Sequence, residues 1–178
     1  MFICITIVYL NMEFFISDLH NMDDNIIKYM HRPFEDVYHM QDTIVDNWND
    51  TVNSEDTVWL LGDVGDVKIL SQLNGIIKIV LGNHDDEAQI NKMYPDIKTY
   101  DLPVMINNTT WCSHVPILDG IVPESPLINI HGHIHRYFYG IGSDWSSGRR
   151  HFNVSVENIN YTPITGPQIA SRLNYIGV

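Results

Sequence analysis

The sequence predicts an α/β fold, and three observations carry that expectation: short apolar runs, amphipathic stretches between them, and polar clusters where each run stops. EFFIS (13–17) gives way to DLHNMDDN, TVWLLGD (57–63) ends in Gly-Asp, and IIKIVLGNHD (76–85) ends in Gly-Asn-His-Asp. Short continuous apolar runs bounded by turn signals read as buried strands. Strand, helix, strand, with polar residues at each strand end, indicates α/β layering.

The elements follow in order. MFICITIVYL (1–10) is apolar but too short to cross a bilayer, and it lacks a basic leading segment and a small-residue cleavage site. It reads as an extra strand, and residues 1–11 as either that strand or an extension upstream of a start at Met12. Asp23 or Asp24 is placed to cap a helix over NIIKYM. Between about Phe34 and Asn49, Val37, Met40, Ile44, Val45 and Trp48 recur at three- and four-residue intervals, the apolar face of an amphipathic helix. KILSQL (68–73) suits a second helix, and a third falls near 85–93. TYDLPVMINNTTWCSH (99–114) reads as two strands around an Asn-Asn turn. PLINIHGHIH (126–135), a Tyr-rich segment (137–139) and HFNVSVE (151–157) supply further strands. TGPQIASRL (165–173) closes with a helix that tolerates Pro167 in its first turn. Without repeats, linkers or low-complexity segments, residues 1–178 read as one domain.

Composition excludes several function classes. A hydrophobic content of 44% supports a folded core. The net charge of -12, with 22 acidic against 10 basic residues, disfavours a polymeric nucleic acid, whose binding draws on Lys and Arg neutralising phosphates. The basic residues are scattered, and only Arg149 and Arg150 form a pair. Cys4 and Cys112 are too few for a disulfide framework, which fits a reducing, cytoplasmic setting. No membrane contact or obligatory protein partner is implied.

The strand ends carry metal-ligand types: Asp18 with His20, Asp63, Asn83 with His84, His114, and the histidines of NIHGHIH (129–135). Taken singly, each has a plain explanation as a helix cap, a turn residue or a half-buried histidine. Taken together, carboxylate, amide and imidazole without a thiolate form a hard-to-borderline donor set, and a dinuclear site is the economical account. On an extended chain His131, His133 and His135 would share one face.

The blocks SDLH (17–20), GD (62–63), GNHD (82–85), SHVP (113–116) and HGHIH (131–135) resemble, in order and spacing, those of the calcineurin-like metallophosphoesterases. RPFEDV (32–37), NW (47–48) and NVSVENINYTPI (153–164) further resemble a compact subgroup common in phage and bacterial genomes. The resemblance implies a layered β-sandwich of two mixed sheets flanked by helices. It assigns one metal to Asp18, His20 and His135 and a second to Asn83, His114 and His133, with Asp63 bridging. It also implies two divalent ions, Mn first, with Fe, Zn, Ni or Co open, and attack on a phosphoester by a bridging hydroxide. His84 is expected at the leaving oxygen as proton donor or charge stabiliser. His131 is left to support a ligand from behind. Arg32 and Arg136 are candidate phosphate contacts, with the Arg149–Arg150 pair behind them. Where the subgroup commonly has a second histidine in the first loop, this chain has Asp23, either a helix cap or a change in phosphate binding. The expected activity is therefore that of a phosphodiesterase on a small phosphoester or nucleotide. A monoesterase or nuclease on the same site, or a silent metal-binding scaffold, are the alternatives. A metallo-β-lactamase-type hydrolase is disfavoured because its H-x-H-x-D-H pattern is not met.

Overall fold

The computed structural model describes residues 11–117, 128–135 and 150–176. The expected strand at 1–10, Arg136, the Tyr-rich segment 137–139 and Arg149 lie outside the described residues. From β1 (Glu13–Ile16) the chain passes through α1 (Asp24–Tyr29) and α2 (Val37–Thr51) to β2 (Thr57–Leu60), which lies parallel to β1. A 3₁₀ turn at Val67–Gln72 leads to β3 (Ile76–Val80), and α3 (Glu87–Met93) leads to β4 (Lys98–Tyr100), each new strand again parallel to its predecessor. The stretch expected as a helix at 68–73 is thus wound more tightly, as short connections often are.

The chain then changes sheets. β5 (Val104–Asn107) and β6 (Thr110–Ser113) form an antiparallel hairpin, and β7 (Ile128–His131) and β8 (Arg150–Asn153) add to it in parallel. β9 (Ile164–Thr165) returns to pair antiparallel with β1, and α4 (Gly166–Ile176) packs on β1 and β8. The sheet orders are β4-β3-β2-β1-β9 and β5-β6-β7-β8, so the fold is α/β with two mixed sheets flanked by helices. The region expected as two strands at 99–114 contains a third, because Lys98–Tyr100 pairs with β3 while Pro103, which has no N–H to donate, ends the run before β5. The hairpin turn is held by Asn107, whose side chain accepts from the Thr109 N–H at 2.9 Å. The strand expected over 151–157 stops at Asn153, whose side chain accepts from the Ser155 N–H at 2.9 Å and turns the chain.

Burial follows the pattern of the sequence. Phe14, Phe15 and Ile16 are buried, as are Val58, Trp59 and Leu60, which suits strands covered on both faces. Met40, Ile44 and Trp48 carry the buried stripe of α2, and the Trp48 Nε1–H reaches the Asn74 carbonyl at 2.9 Å. Among the described residues no helix is long and apolar enough to cross a membrane.

Asp56 ties the amino ends of β1 and β2 together: its carboxylate accepts from the Met12 N–H at 2.8 Å and the Asn53 N–H at 2.9 Å. Burial would raise its pKa, but these bonds outweigh it and hold it below the ordinary 3.8. A lowered folded-state pKa stabilises above the unfolded value and is lost as pH falls through the folded one. Asp56→Asn should therefore lower the urea midpoint at pH 7 and lose the part of the wild-type acid sensitivity that lies below pH 3.8. Identical pH profiles of the midpoint in the two proteins would refute this role.

Candidate metal centre

Five strand ends meet where the two sheets meet. Asp18 and His20 follow β1, Asp63 follows β2, and Asn83 and His84 follow β3. His114 follows β6, and His133 and His135 follow β7. Ser17 and Ser155 join the sheets here through a parallel bridge, in which the Ser17 N–H donates to Val154 at 3.0 Å and the Val156 N–H donates to Ser17 at 3.1 Å. The backbone turns sharply: Asp18, His20, Asp63, His133 and His135 all have positive φ, between 47° and 70°. Such conformations are uncommon outside glycine and gather at functional sites.

Two groups of side chains could each hold a metal ion, Asp18–His20–His135 and Asp63–His114–His133, the donor atoms of each lying within 4.8 Å of one another. Asp63 Oδ2 stands between the groups, 3.4 Å from His20 Nε2 and 3.5 Å from His114 Nε2. Asn83 joins the second group with its Oδ1 3.0 Å from His114 Nε2. His84 is exposed, its N–H donates to Asp63 Oδ1 at 3.0 Å, and its ring centre is 5.3 Å from that of His20.

The ring nitrogens are aimed inward by partners behind them. His114 donates from Nδ1 to the Leu61 carbonyl at 2.8 Å, which leaves the Nε2 lone pair facing Asn83 Oδ1, Asp63 Oδ2 and, at 3.1 Å, His133 Nδ1. His135 donates from Nδ1 to Glu157 at 3.1 Å and turns Nε2 toward Asp18 Oδ1 at 3.8 Å. His20 Nε2 is buried without a hydrogen-bond partner. Lone pairs converging in this way require a proton or a cation among them. Burial would push Asp63 up, yet the imidazoles of His114 and His20 beside its Oδ2 hold it well below the usual carboxylate range. Burial opposes charge on His114 and His135 too, but the bond to Asp63 raises the first and the bond to Glu157 raises the second. The donor set, two carboxylates with imidazoles and an amide, fits a divalent ion.

Several expectations change. His131, His133 and His135 do not share a face, because β7 ends at His131 and the left-handed turns beyond it send His133 and His135 to different groups. His131 is 1% exposed and neutral, its pKa lowered by burial to about 4, and its Nδ1 meets the Gly132 carbonyl at 2.9 Å. Any support it gives reaches the site through that backbone. Arg32 is not a phosphate contact: its side chain is fully buried, paired with Glu157 at 2.7 Å, and donates to the Asp18 and Leu19 carbonyls. Asp23 is the cap of α1, accepting from the Asn25 N–H at 2.8 Å.

Two residues were missed by sequence reasoning. Glu157 was visible only as part of NVSVENINYTPI, although a ligating histidine commonly needs a carboxylate behind it. Asp85 closes the GNHD block, and its carboxylate accepts from the N–H groups of Asp63 at 2.9 Å, Val64 at 2.8 Å and Gly82 at 2.8 Å. It therefore clamps the β2 loop to the β3 loop. Removing one partner of a buried bond costs about 1–3 kcal/mol for each group left unpaired. Asp85→Ala should accordingly lower the urea midpoint well beyond Asp86→Ala, which deletes only the cap of α3, a loss of about 1 kcal/mol. Equal losses in the two variants would show that the clamp carries no weight.

No protein-family model matches the chain. It is 34% identical over 160 residues to the uncharacterized protein MJ1445 of Methanocaldococcus jannaschii, covering 85% of each chain. It is 29% identical over 87 residues to the Gene 66 protein of Mycobacterium phage L5, covering 44% of this chain and 42% of that one. The crystal structure of AQ665 from Aquifex aeolicus, a protein of unknown function, superposes with a TM-score of 0.75 at 27% identity, over 91% of this chain and 99% of that one. On the identity and coverage shared with MJ1445, this chain belongs to the same family as that Methanocaldococcus jannaschii protein.

Proposed function

We propose that the chain is a metal-dependent phosphoric ester hydrolase of the calcineurin-like metallophosphoesterase type, acting on a small phosphodiester or nucleotide. The observation that carries the reading is Asp63 Oδ2, poised 3.4 Å and 3.5 Å from a histidine of each group, where one carboxylate can serve two cations. When bound, two divalent cations, Mn first among the candidates, would activate a water and draw off negative charge at phosphorus. The chain's own part is to hold and orient. Asp18, His20 and His135 form one half of the site, Asn83, His114 and His133 the other. His84 is exposed beside them with its backbone anchored to Asp63, and is assigned the proton for the leaving oxygen. The net charge of -12 favours a small substrate over a nucleic acid polymer.

The test is metal analysis followed by a screen of p-nitrophenyl esters, cyclic nucleotides and oligonucleotides with the metal-loaded protein. Activity on small diesters supports the reading. Two bound metals without turnover of any of them would favour a silent metal-binding scaffold.

Two substitutions separate holding from chemistry. Asp63→Asn should abolish activity and lower metal content, because the shared charge between the groups is lost. His84→Asn should keep its metals and lose about 10²–10⁴-fold in kcat, the range for a general acid. Unchanged turnover in the first variant, or lost metal in the second, would reverse the corresponding assignment.

A further inference from the structure

Arg32 and Glu157 form an ion pair whose side chains are both 0% exposed. Burying two charges costs several kcal/mol for each ion, and apolar residues could fill the same volume without that cost. The pair's surroundings supply a reason for it. Arg32 spends Nε and Nη2 on Glu157 Oε1, at 2.8 Å and 2.7 Å. It also donates from Nη2 to the Asp18 carbonyl at 2.7 Å and from Nη1 to the Leu19 carbonyl at 2.8 Å. Glu157 in turn accepts from His135 Nδ1 at 3.1 Å and 3.2 Å. One guanidinium therefore grips the backbone that holds Asp18 in its left-handed turn and, through Glu157, fixes the ring of His135. Both residues belong to the same group.

Resting on the proposed two-cation site, we infer that Arg32 and Glu157 are positioning residues dedicated to the Asp18–His20–His135 group, and that they set its cation affinity separately from that of the Asp63–His114–His133 group. The second group is oriented by other means, the Leu61 carbonyl behind His114 and the Asp85 clamp on the Asp63 N–H. The planar guanidinium matters because its rigid fork spreads separate donors over one carboxylate oxygen and two carbonyls, whereas the compact ammonium of a lysine has three donors on one freely rotating nitrogen.

The test is calorimetric titration of chelator-stripped protein with Mn²⁺. Wild type should take up two ions per chain. Glu157→Gln should weaken one of the two binding events by about 10–100-fold, the usual effect of losing an outer partner of a ligand, and leave the other within about twofold. Arg32→Lys, which keeps the charge but loses the fork, should weaken the same event and serves if Glu157→Gln does not fold. A readout that general destabilisation would not move is the background dependence: in His135→Ala protein, adding Glu157→Gln should change the remaining binding no further. Equal weakening of both events, or an additive effect in the His135→Ala background, would overturn the assignment. Two ions bound as in wild type by both Glu157→Gln and Arg32→Lys would overturn it while leaving the proposed function standing. A wild-type protein that binds none of Mn²⁺, Zn²⁺, Co²⁺ and Ni²⁺ in the same titration would overturn both.

Discussion

The backbone pairing of Ser17 with Ser155 holds two sheets edge to edge at the ends where their parallel strands stop. Both serines are wholly buried, and the Ser17 hydroxyl donates to the Leu61 carbonyl at 2.6 Å, so the junction also fixes the end of β2. Each candidate metal group takes its carboxylate from one sheet and at least one imidazole from the other. Neither group exists until the sheets dock. A cation bound to either would therefore act as a bridge across the junction, and its binding energy would stabilise the docked state.

Space at that junction is rationed by two glycines. A Cβ on Gly132 would fall on the side chains of Ser17 and Asp18, and one on Gly82 would fall on the Asp63 carboxylate. The carboxylates lie against bare backbone, and the Asp18 oxygens accept from the His133 N–H at 3.1 Å and 3.0 Å. These contacts explain how the left-handed turns persist. Each costs roughly 1–3 kcal/mol, and such strain survives only where surrounding bonds over-determine it. Here the Asp18 N–H is held by the Gly62 carbonyl and the His20 N–H by the Asp63 carbonyl, at 3.0 Å and 2.9 Å.

What could be read from the chain was local, and what could not was long-range. The runs at 13–17, 57–63 and 76–85 were legible as strands because burial on both faces leaves an unbroken apolar stretch. The ligand types were legible because polar residues at buried strand ends have few other uses. Geometry beyond the strand was not. The alternation of His131, His133 and His135 suggested one face only while the chain stayed extended, and the single local mark of the end of β7 at His131 is Gly132, a residue that also occurs within strands. Arg32 looked like a phosphate contact because an arginine beside a loop of ligands has two uses, and only the position of Glu157 decides between them. That carboxylate arrives from the far end of the chain. Asp85 escaped for a similar reason: its partners are backbone N–H groups, which leave no trace in side-chain identity.

Charge explains why the remaining features agree. Asp18, Asp63 and Glu157 are buried carboxylates, and Arg32 is the one guanidinium buried among them within the described residues. An excess of buried negative charge cannot stand alone. In the bare protein protons on His114 and His135 would offset it, which is the direction in which Asp63 and Glu157 drive those two rings against the effect of burial. His133 is driven the other way, by burial first and then by the neighbouring His114, and keeps a lone pair toward its neighbours. Cations would replace those protons at the same positions, since each ring already donates backward and accepts inward. The imidazoles differ in what stands behind them, a neutral carbonyl for His114 and a carboxylate for His135. A carboxylate makes the ring a stronger electron donor than a carbonyl does, so the two halves of the site are built with unequal ligand strength from the same kind of residue.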